Sequence, residues 1–306
     1  QRRAPVRVPG RRPALRTAAA PRREFRQKRR LIAMSIKLIG LDLDGTTLNS
    51  QKHLSPRTKD AIQCACARGV TVLPVTGRPR VGLCAEILSV PGVRYAITSN
   101  GGTVYDLSLN QELLVHPIDK PAALQALADA AALHAVTDVY MDGQAYTDAA
   151  TFSRLVSIVP DELKQYFRTT RTPVENQLQW LAGEARPVEK LTLLFSNCAD
   201  QRRAWEFFEA SGRFEVASSI VNNLELNQKG VDKGFALLAL ARRLGIRREE
   251  MMAIGDSEND LAMLRYAGES VAMGNALPEL KAQCKHVTLK NTEDGVAHII
   301  EKLVLS

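Results

Sequence analysis

Two aspartates separated by one residue follow an apolar segment, in the run Leu-Ile-Gly-Leu-Asp-Leu-Asp-Gly-Thr-Thr-Leu. The apolar residues 36–41 predict a buried strand of a parallel sheet, and alternation along such a strand directs Asp42 and Asp44 to the same side. Gly45 then allows the backbone to turn. Because two carboxylates at this spacing repel each other, we expect a cation or a proton between them. A turn-forming Asp-x-Asp-Gly loop without chemistry is the alternative interpretation.

A second group of acids follows another predicted strand, residues 251–254, in the sequence Gly-Asp-Ser-Glu-Asn-Asp. Carboxylates at the end of a strand supply hard oxygen ligands, which suit Mg²⁺ better than softer metals. Asp256 and Asp260 are therefore candidate metal ligands, and Asn259 is a candidate for orienting phosphate or water. A helix-capping box, the structural alternative, needs only one of these acids.

Groups that could bind a phosphate occur in two further places. Thr76 and Gly77 end the predicted strand 70–75, where a hydroxyl and a backbone amide can donate to a phosphoryl oxygen. Lys233 opens a predicted helix, where a cation opposes the helix dipole, so its charge is expected to serve a ligand. Lys229, in the preceding loop, and Lys190, in a predicted strand, are the weaker candidates for the phosphate-binding lysine.

In this order the four segments resemble the four motifs of the haloacid dehalogenase (HAD) superfamily. Asp-x-Asp-Gly-Thr resembles the first motif, Thr-Gly-Arg the second, the Lys-Gly that opens a helix the third, and Gly-Asp-x-x-Asn-Asp the class II form of the fourth. The resemblance covers roughly residues 35 to 306. Within the superfamily it points to the Cof-type sugar-phosphate phosphatases of class IIB.

The resemblance implies a role for each motif residue. Asp42 would be the nucleophile that forms an aspartyl-phosphate, and Asp44 would protonate the leaving oxygen and then activate water. Mg²⁺ would be held by Asp42, by Asp44 through its backbone carbonyl, and by Asp256, with Asp260 acting through water. The substrate-binding residues would be Thr76, Gly77, Arg78, Asn100, Lys233 and Asn259. Asn100 has an equally plausible structural role, since Asn-Gly is also a strong hairpin signal.

The resemblance also implies the fold and the division of the chain into domains. The fold expected is α/β, a Rossmann-like parallel-sheet core in three α/β/α layers with an inserted α+β cap domain. Residues 34–115 and 219–306 would form the core, and residues 116–218 the cap. Residues 221–226 are accordingly expected to be a core strand.

The positive charge of the chain lies almost entirely in its first residues. The net charge is +8, and residues 1–33 contain eleven Arg, one Lys and one Glu, so they carry +11 and the rest carries 8 − 11 = −3. Such a segment is expected to be a disordered basic arm. A transit peptide, a nucleic-acid-binding arm, or a natural start at Met34 are the alternatives left open. No specific nucleic-acid site is expected in the remainder.

Other features indicate a cytoplasmic protein. The five cysteines are scattered without metal-ligand spacing, which favours reduced thiols. No apolar run is long enough to span a membrane, so no membrane partner is expected.

These observations predict a Mg²⁺-dependent phosphatase that acts on small phosphorylated metabolites, in particular sugar phosphates. A phosphohexomutase of the same subfamily is the nearest alternative. A nucleic-acid-binding or regulatory protein with a vestigial site is a more distant one. Kinase or ATPase chemistry driven by a nucleotide is not supported, because no Gly-x-x-x-x-Gly-Lys-[Ser/Thr] loop is present. Neither the particular substrate nor the oligomeric state can be read from the sequence.

Removal of residues 1–33 is expected to leave the melting temperature and the phosphatase rate on small substrates nearly unchanged. The segment contains none of the candidate site residues, and a disordered polar segment buries little apolar area. Weak, salt-sensitive binding to DNA should disappear, since it depends on the arm's cations. Calorimetry, turnover and DNA titration at two salt concentrations measure these effects. A truncated protein that unfolds or loses most of its turnover would contradict the expectation.

Overall fold

The structure is a computed structural model that describes residues 36–306, so the predicted arm and the possible start at Met34 lie outside the described residues. A five-stranded parallel sheet contains the strand that precedes Asp42. In spatial order its strands are β14 (His286–Val287), β13 (Glu269–Ala272), β12 (Met251–Gly255), β1 (Leu38–Leu41) and β2 (Thr71–Pro74). β1 lies between β12 and β2, so two predicted motif strands flank the first one.

Helices cover both faces of this sheet. Alternation along β1 directs Ile39 and Leu41 into one apolar cluster and Leu38 into another. The first cluster includes side chains of α1 (Pro56–Ala67) and the last α-helix, and the second includes side chains of the helix that Lys233 opens. This three-layer α/β/α arrangement confirms the predicted fold class.

The remaining core helices are short or come late in the chain. They are α2 (Ala85–Leu88), α8 (Lys233–Arg243), α9 (Leu261–Tyr266), α10 (Pro278–Lys281) and α11 (Gly295–Ile300). α8 begins as predicted, because the Asp232 side chain accepts a hydrogen bond of 2.6 Å from the backbone N–H of Phe235.

A small antiparallel sheet extends the core beyond β2. Its strands in spatial order are β3 (Tyr95–Thr98), β4 (Thr103–Asp106) and β5 (Gln111–Val115). A parallel bridge between Val75 and Ile97 connects it to the end of β2. The turn between β3 and β4 contains Asn100, which has a φ of 53°.

The segment that follows forms a second, mostly antiparallel sheet of six strands. In spatial order these are β10 (Phe214–Ala217), β11 (Asn223–Gln228), β9 (Lys190–Leu194), β6 (Val136–Met141), β7 (Gln144–Asp148) and β8 (Arg171–Val174). Its helices are α3 (Lys120–Ala132), α4 (Phe152–Ile158), α5 (Asp161–Thr170), α6 (Gln177–Gly183) and α7 (Cys198–Ser211). An apolar cluster separate from those of the core packs α3 and α7 against this sheet.

One strand lies in a different sheet from the one expected. Residues 221–226 were expected in the core, but β11 pairs antiparallel with both β9 and β10 of the second sheet. A boundary at 218/219 is therefore wrong, and the second sheet extends to Gln228. An apolar run does not by itself identify its pairing partner. The alternation of Leu224, Glu225, Leu226 and Asn227 was an available signal, since it is typical of antiparallel strands.

Within residues 36–306, no helix combines the length and the apolar character needed to cross a membrane.

Candidate active site

A cavity of about 290 Å³ opens at the carboxyl ends of β1, β2 and β12. Open α/β sheets place their ligand sites at this edge. Six of the residues singled out from the sequence line the cavity: Asp42, Asp44, Thr76, Gly77, Arg78 and Asn259. Lys233, Asp256 and Asp260 lie next to them, and each is connected to a lining residue or to its neighbours by hydrogen bonds.

Asp42 is buried and shares a lysine with a second acid. The Nζ of Lys233 donates to Oδ1 of Asp42 at 2.7 Å and to Oδ1 of Asp260 at 2.6 Å. Burial together with the charge of Asp260 raises the pKa of Asp42 well above its usual range, although Lys233 acts against this. Burial by itself would lower the pKa of Lys233, but the two carboxylates raise it, so the lysine stays charged.

Asp256 stands close to the turn that follows the first motif. Its Oδ1 accepts a hydrogen bond of 2.6 Å from Thr46 Oγ1. Gly45 has a φ of +84°, and a β-carbon there would collide with the Asp256 carboxylate, so both conformation and space require glycine. Burial and the charge of Asp260 raise the pKa of Asp256 to about 6.

The acids fit a divalent cation. Asp42, Asp256 and Asp260 each offer a ligand atom within 4.8 Å of the others. Oδ2 of Asp42 is buried without a hydrogen-bond partner among the described residues, which is costly unless a cation or another donor satisfies it. All donors in the group are carboxylate oxygens, the ligands that Mg²⁺ prefers. Asp260 is the least available of the three as a ligand. Its Oδ1 accepts from Lys233, and its Oδ2 accepts from the backbone N–H groups of Asp256 and Ser257.

Asp44 is held by two cations. Nε and Nη2 of Arg78 each donate to its carboxylate at 2.7 Å, and Lys52 Nζ donates at 2.8 Å. Burial alone would raise the pKa of Asp44, but these contacts lower it to about 2. Asp44 is therefore a carboxylate at neutral pH. Arg78 was expected to bind substrate, and here its guanidinium is engaged with Asp44 and with the carbonyl of Gly82.

The loop after β2 is fixed by residues of the second sheet. Nζ of Lys190 donates to the Gly77 carbonyl at 2.6 Å and to Glu225 Oε1 at 2.7 Å. The other Glu225 oxygen accepts from Asn100 Nδ2 at 2.7 Å. Asn100 Oδ1 lies 3.5 Å from Asn259 Nδ2. Asn100 does not line the cavity, but it contacts two residues that do, Glu225 and Asn259.

The three candidate lysines differ in position. Lys233 is buried beside Asp42. Lys229 lies in an ion pair with Glu215, with 58% of its side chain exposed. Lys190 is buried, but its amine is engaged with Glu225 and a carbonyl. Of the three, Lys233 is the one whose amine lies beside the candidate nucleophile.

Several cavity residues were missed by the sequence reasoning. They are Lys52, Tyr140, Leu163, Tyr166, Phe167, Arg171, Thr192, Ser219, Ile220, Asn223 and Glu225. Most belong to the inserted segment, where no motif identified them. The one signal available was Glu225, an acid between two apolar residues of a predicted strand.

Comparisons with known proteins give a consistent result. A family model described as haloacid dehalogenase-like hydrolase matches residues 39–300. The phosphatase YwpJ of Bacillus subtilis is 31% identical over 289 residues, which cover 88% of this chain and 100% of the relative. The 5-amino-6-(5-phospho-D-ribitylamino)uracil phosphatase YwtE of B. subtilis is also 31% identical, over 88% of this chain and 98% of the relative. A solved haloacid dehalogenase-like hydrolase from B. subtilis has a TM-score of 0.79 and 29% identity, over 88% of this chain and 100% of that chain.

Proposed function

This chain belongs to the haloacid dehalogenase-like hydrolase family and is a phosphatase of its Cof type, and we propose that it hydrolyses small phosphorylated metabolites, in particular sugar phosphates. The reaction would proceed through an aspartyl-phosphate on Asp42 and would require Mg²⁺. The observation that carries the proposal is the Asp42 carboxylate, which lines a small cavity beside Asp44 and keeps one oxygen without a partner among residues 36–306.

The residues around Asp42 are proposed to support its attack on phosphorus. Lys233 donates to Oδ1 of Asp42 and Oδ2 has no partner among residues 36–306, so the carboxylate can offer its two oxygens to different partners, one to phosphorus and one to the cation. Thr76 lines the same cavity, and its hydroxyl can donate to a phosphoryl oxygen. Mg²⁺, held by Asp42, Asp256 and the Asp44 backbone carbonyl with Asp260 nearby, would offset the repulsion between the nucleophile and the phosphate.

Asp44 is proposed to act as the general acid and then as the general base of the reaction. As a carboxylate it can accept a proton from water in the hydrolysis of the aspartyl-phosphate. To donate a proton to the leaving oxygen, Asp44 must first be protonated. This requires its contacts with Arg78 and Lys52 to weaken. The substrate phosphate is an anion that both cations can bind, so its arrival would weaken those contacts. This gives Arg78 a place in substrate binding despite its contact with Asp44.

The inserted segment is proposed to act as a cap that selects the substrate. Glu225 of β11 and Tyr166 of α5 line the same cavity as Asp42, so the segment contributes directly to its walls. We place its limits at residues 116 and 228, after the sheet that β11 completes. A cavity of about 290 Å³ with polar side chains such as Asn223 fits one small polar metabolite. The relative YwtE is named for one phosphorylated metabolite, 5-amino-6-(5-phospho-D-ribitylamino)uracil.

Phosphate release from a panel of phosphorylated sugars, polyols and nucleotides tests the proposal. We expect Mg²⁺-dependent release with a preference for the smaller sugar and polyol esters. EDTA should abolish turnover and added Mg²⁺ should restore it, because the ligand set consists of oxygens alone. Full activity in metal-free buffer would contradict the metal assignment, and no release from any monoester would contradict the proposed substrate class.

A hexose 1-phosphate in the same panel separates the phosphatase from a phosphohexomutase. A phosphatase yields free phosphate, whereas a mutase yields the 6-phosphate. Accumulation of the 6-phosphate without free phosphate would favour the mutase.

A further inference from the structure

Asp44, the proposed acid/base, is the first member of a chain of alternating charged and aromatic groups that extends from the core into the inserted segment. Its carboxylate is held by two nitrogens of Arg78, at 2.7 Å each. The ring of Tyr166, on α5, lies over that guanidinium, with 4.8 Å between Cζ and the ring centre. Arg171 lies 5.2 Å from the centre of the same ring. Asp138, on β6, accepts from Arg171 Nε at 2.9 Å.

In this series of side chains, the end farthest from Asp44, at Arg171 and Asp138, is rigid. Besides Asp138, the guanidinium of Arg171 donates to the hydroxyls of Thr170 and Tyr140, at 2.7 and 2.8 Å. The side chains of Arg171 and Asp138 are 2% and 0% exposed. A buried guanidinium with three fixed partners cannot change position without losing hydrogen bonds. It therefore gives the Tyr166 ring a fixed support on the side of the inserted sheet.

At the end of the series next to Asp44, the position of Arg78 depends on Tyr166. Arg78 has 13% of its side chain exposed, and besides Asp44 its guanidinium donates to the Gly82 carbonyl. The Tyr166 hydroxyl lies against Gly82 so closely that a β-carbon there would collide with it. The ring thus covers both Arg78 and the turn that Arg78 contacts. An aromatic face is attracted to a guanidinium, most strongly where water is excluded.

We propose that Tyr166 is a positioning residue for Asp44 and acts through Arg78. The ring fixes the guanidinium, and the two parallel hydrogen bonds of the guanidinium fix the orientation of the Asp44 carboxylate. The inserted segment would thereby influence the proton transfer step as well as the shape of the cavity. This inference rests on the proposed role of Asp44, and its test is designed so that the two can fail separately.

The test compares two substrates of nearly equal size, 4-nitrobenzyl phosphate and 4-nitrophenyl phosphate. The benzyl alcohol is a poor leaving group that needs a proton, whereas the nitrophenolate leaves without one. The comparison uses kcat/KM, because this quantity reports the steps up to departure of the leaving group and excludes the later hydrolysis of the aspartyl-phosphate. A defect in Asp44 positioning should therefore affect the benzyl ester selectively.

We expect Tyr166→Leu to lower kcat/KM at least tenfold for the benzyl ester and less than threefold for the phenyl ester. Tyr166→Phe, which keeps the ring, should show no selective loss, so the ratio of its kcat/KM values for the two esters should equal that of the parent. Tyr146→Leu is the matched control, since Tyr146, on β7 of the inserted segment, also contacts an arginine, Arg186, and neither residue lines the cavity; it should change neither value. If Tyr166→Leu does not fold, Tyr166→Gln, which also lacks the ring, replaces it.

Two further variants locate the effect. In an Arg78→Met background, Tyr166→Leu should cost less than threefold, because the group through which it acts is gone. An undiminished effect in that background, equal losses for the two esters, a selective gain for the benzyl ester, or no loss at all would overturn the inference. Asp44→Asn is measured alongside. If Asp44→Asn also lowers kcat/KM equally for both esters, the proposed role of Asp44 is wrong. If Asp44→Asn lowers kcat/KM selectively for the benzyl ester while Tyr166→Leu does not, only the positioning role of Tyr166 is wrong.

Discussion

Asp42→Asn is expected to lower phosphate release at least ~10³-fold, the order of loss seen when a catalytic nucleophile is removed. An amide cannot form the acyl phosphate, and it supplies a neutral oxygen in place of a charged metal ligand. Unlike most site substitutions, this one should not destabilise the fold. Burial and neighbouring acids oppose the charge of Asp42, as its raised pKa indicates, and Lys233 keeps Asp260 as a counter-charge, so a neutral isostere at position 42 costs little.

Turnover and urea denaturation, each measured beside Asp60→Asn, check this expectation. Asp60 is an exposed acid on α1, and its substitution should change neither quantity. Borohydride treatment during turnover gives an independent readout, since it reduces an aspartyl-phosphate to homoserine. The parent should show homoserine at position 42 and the variant should not. Phosphate release within tenfold of the parent, or homoserine at another position, would show that Asp42 is not the nucleophile.

Lys233→Met is expected to abolish most turnover and also to destabilise the protein. The amine is buried between Asp42 and Asp260, with 1% of the side chain exposed. Its removal leaves two buried carboxylates without their common cation, and breaking a buried ion pair in this way costs about 3–5 kcal/mol. Turnover should fall because the attacking carboxylate loses its positioning contact and the phosphate loses a nearby positive charge.

Two additional variants separate stability from catalysis. Adding Asp260→Asn to Lys233→Met should recover much of the free energy of unfolding, because an asparagine can still accept the backbone N–H groups of Asp256 and Ser257 and removes one unpaired charge. Turnover should stay low. Lys229→Met is the matched lysine control: its surface ion pair with Glu215 contributes about 0–1 kcal/mol, and turnover should be unchanged. A variant of Lys229 that loses turnover while Lys233→Met keeps it would reverse the assignment of the phosphate-binding lysine.

The family and the core fold could be predicted from the sequence because the signals are local. The runs before Asp42, Thr76 and Asp256 are short and apolar, and such runs form adjacent parallel strands whose carboxyl ends meet at one edge. Lys233 could be selected for a similar reason, since a cation at a capped helix start is unfavourable without a counter-charge. The structure supplies that charge in Asp42 and Asp260.

The tertiary structure decided which groups surround the candidate site residues and shift their pKa values. The pKa of Asp44 depends on Arg78 and Lys52, whose approach requires two loops to meet, and no spacing in the sequence encodes that meeting. The placement of β11 was decided by its hydrogen-bonding partners, since the alternation of apolar and polar residues indicates an antiparallel strand but does not specify its neighbours. For the same reason Tyr166 could not be recognised as a cavity residue. The sequence by itself determined which candidate groups lie at the strand ends, because this depends on backbone periodicity, whereas the walls and electrostatics of the cavity depend on contacts between segments distant in the chain.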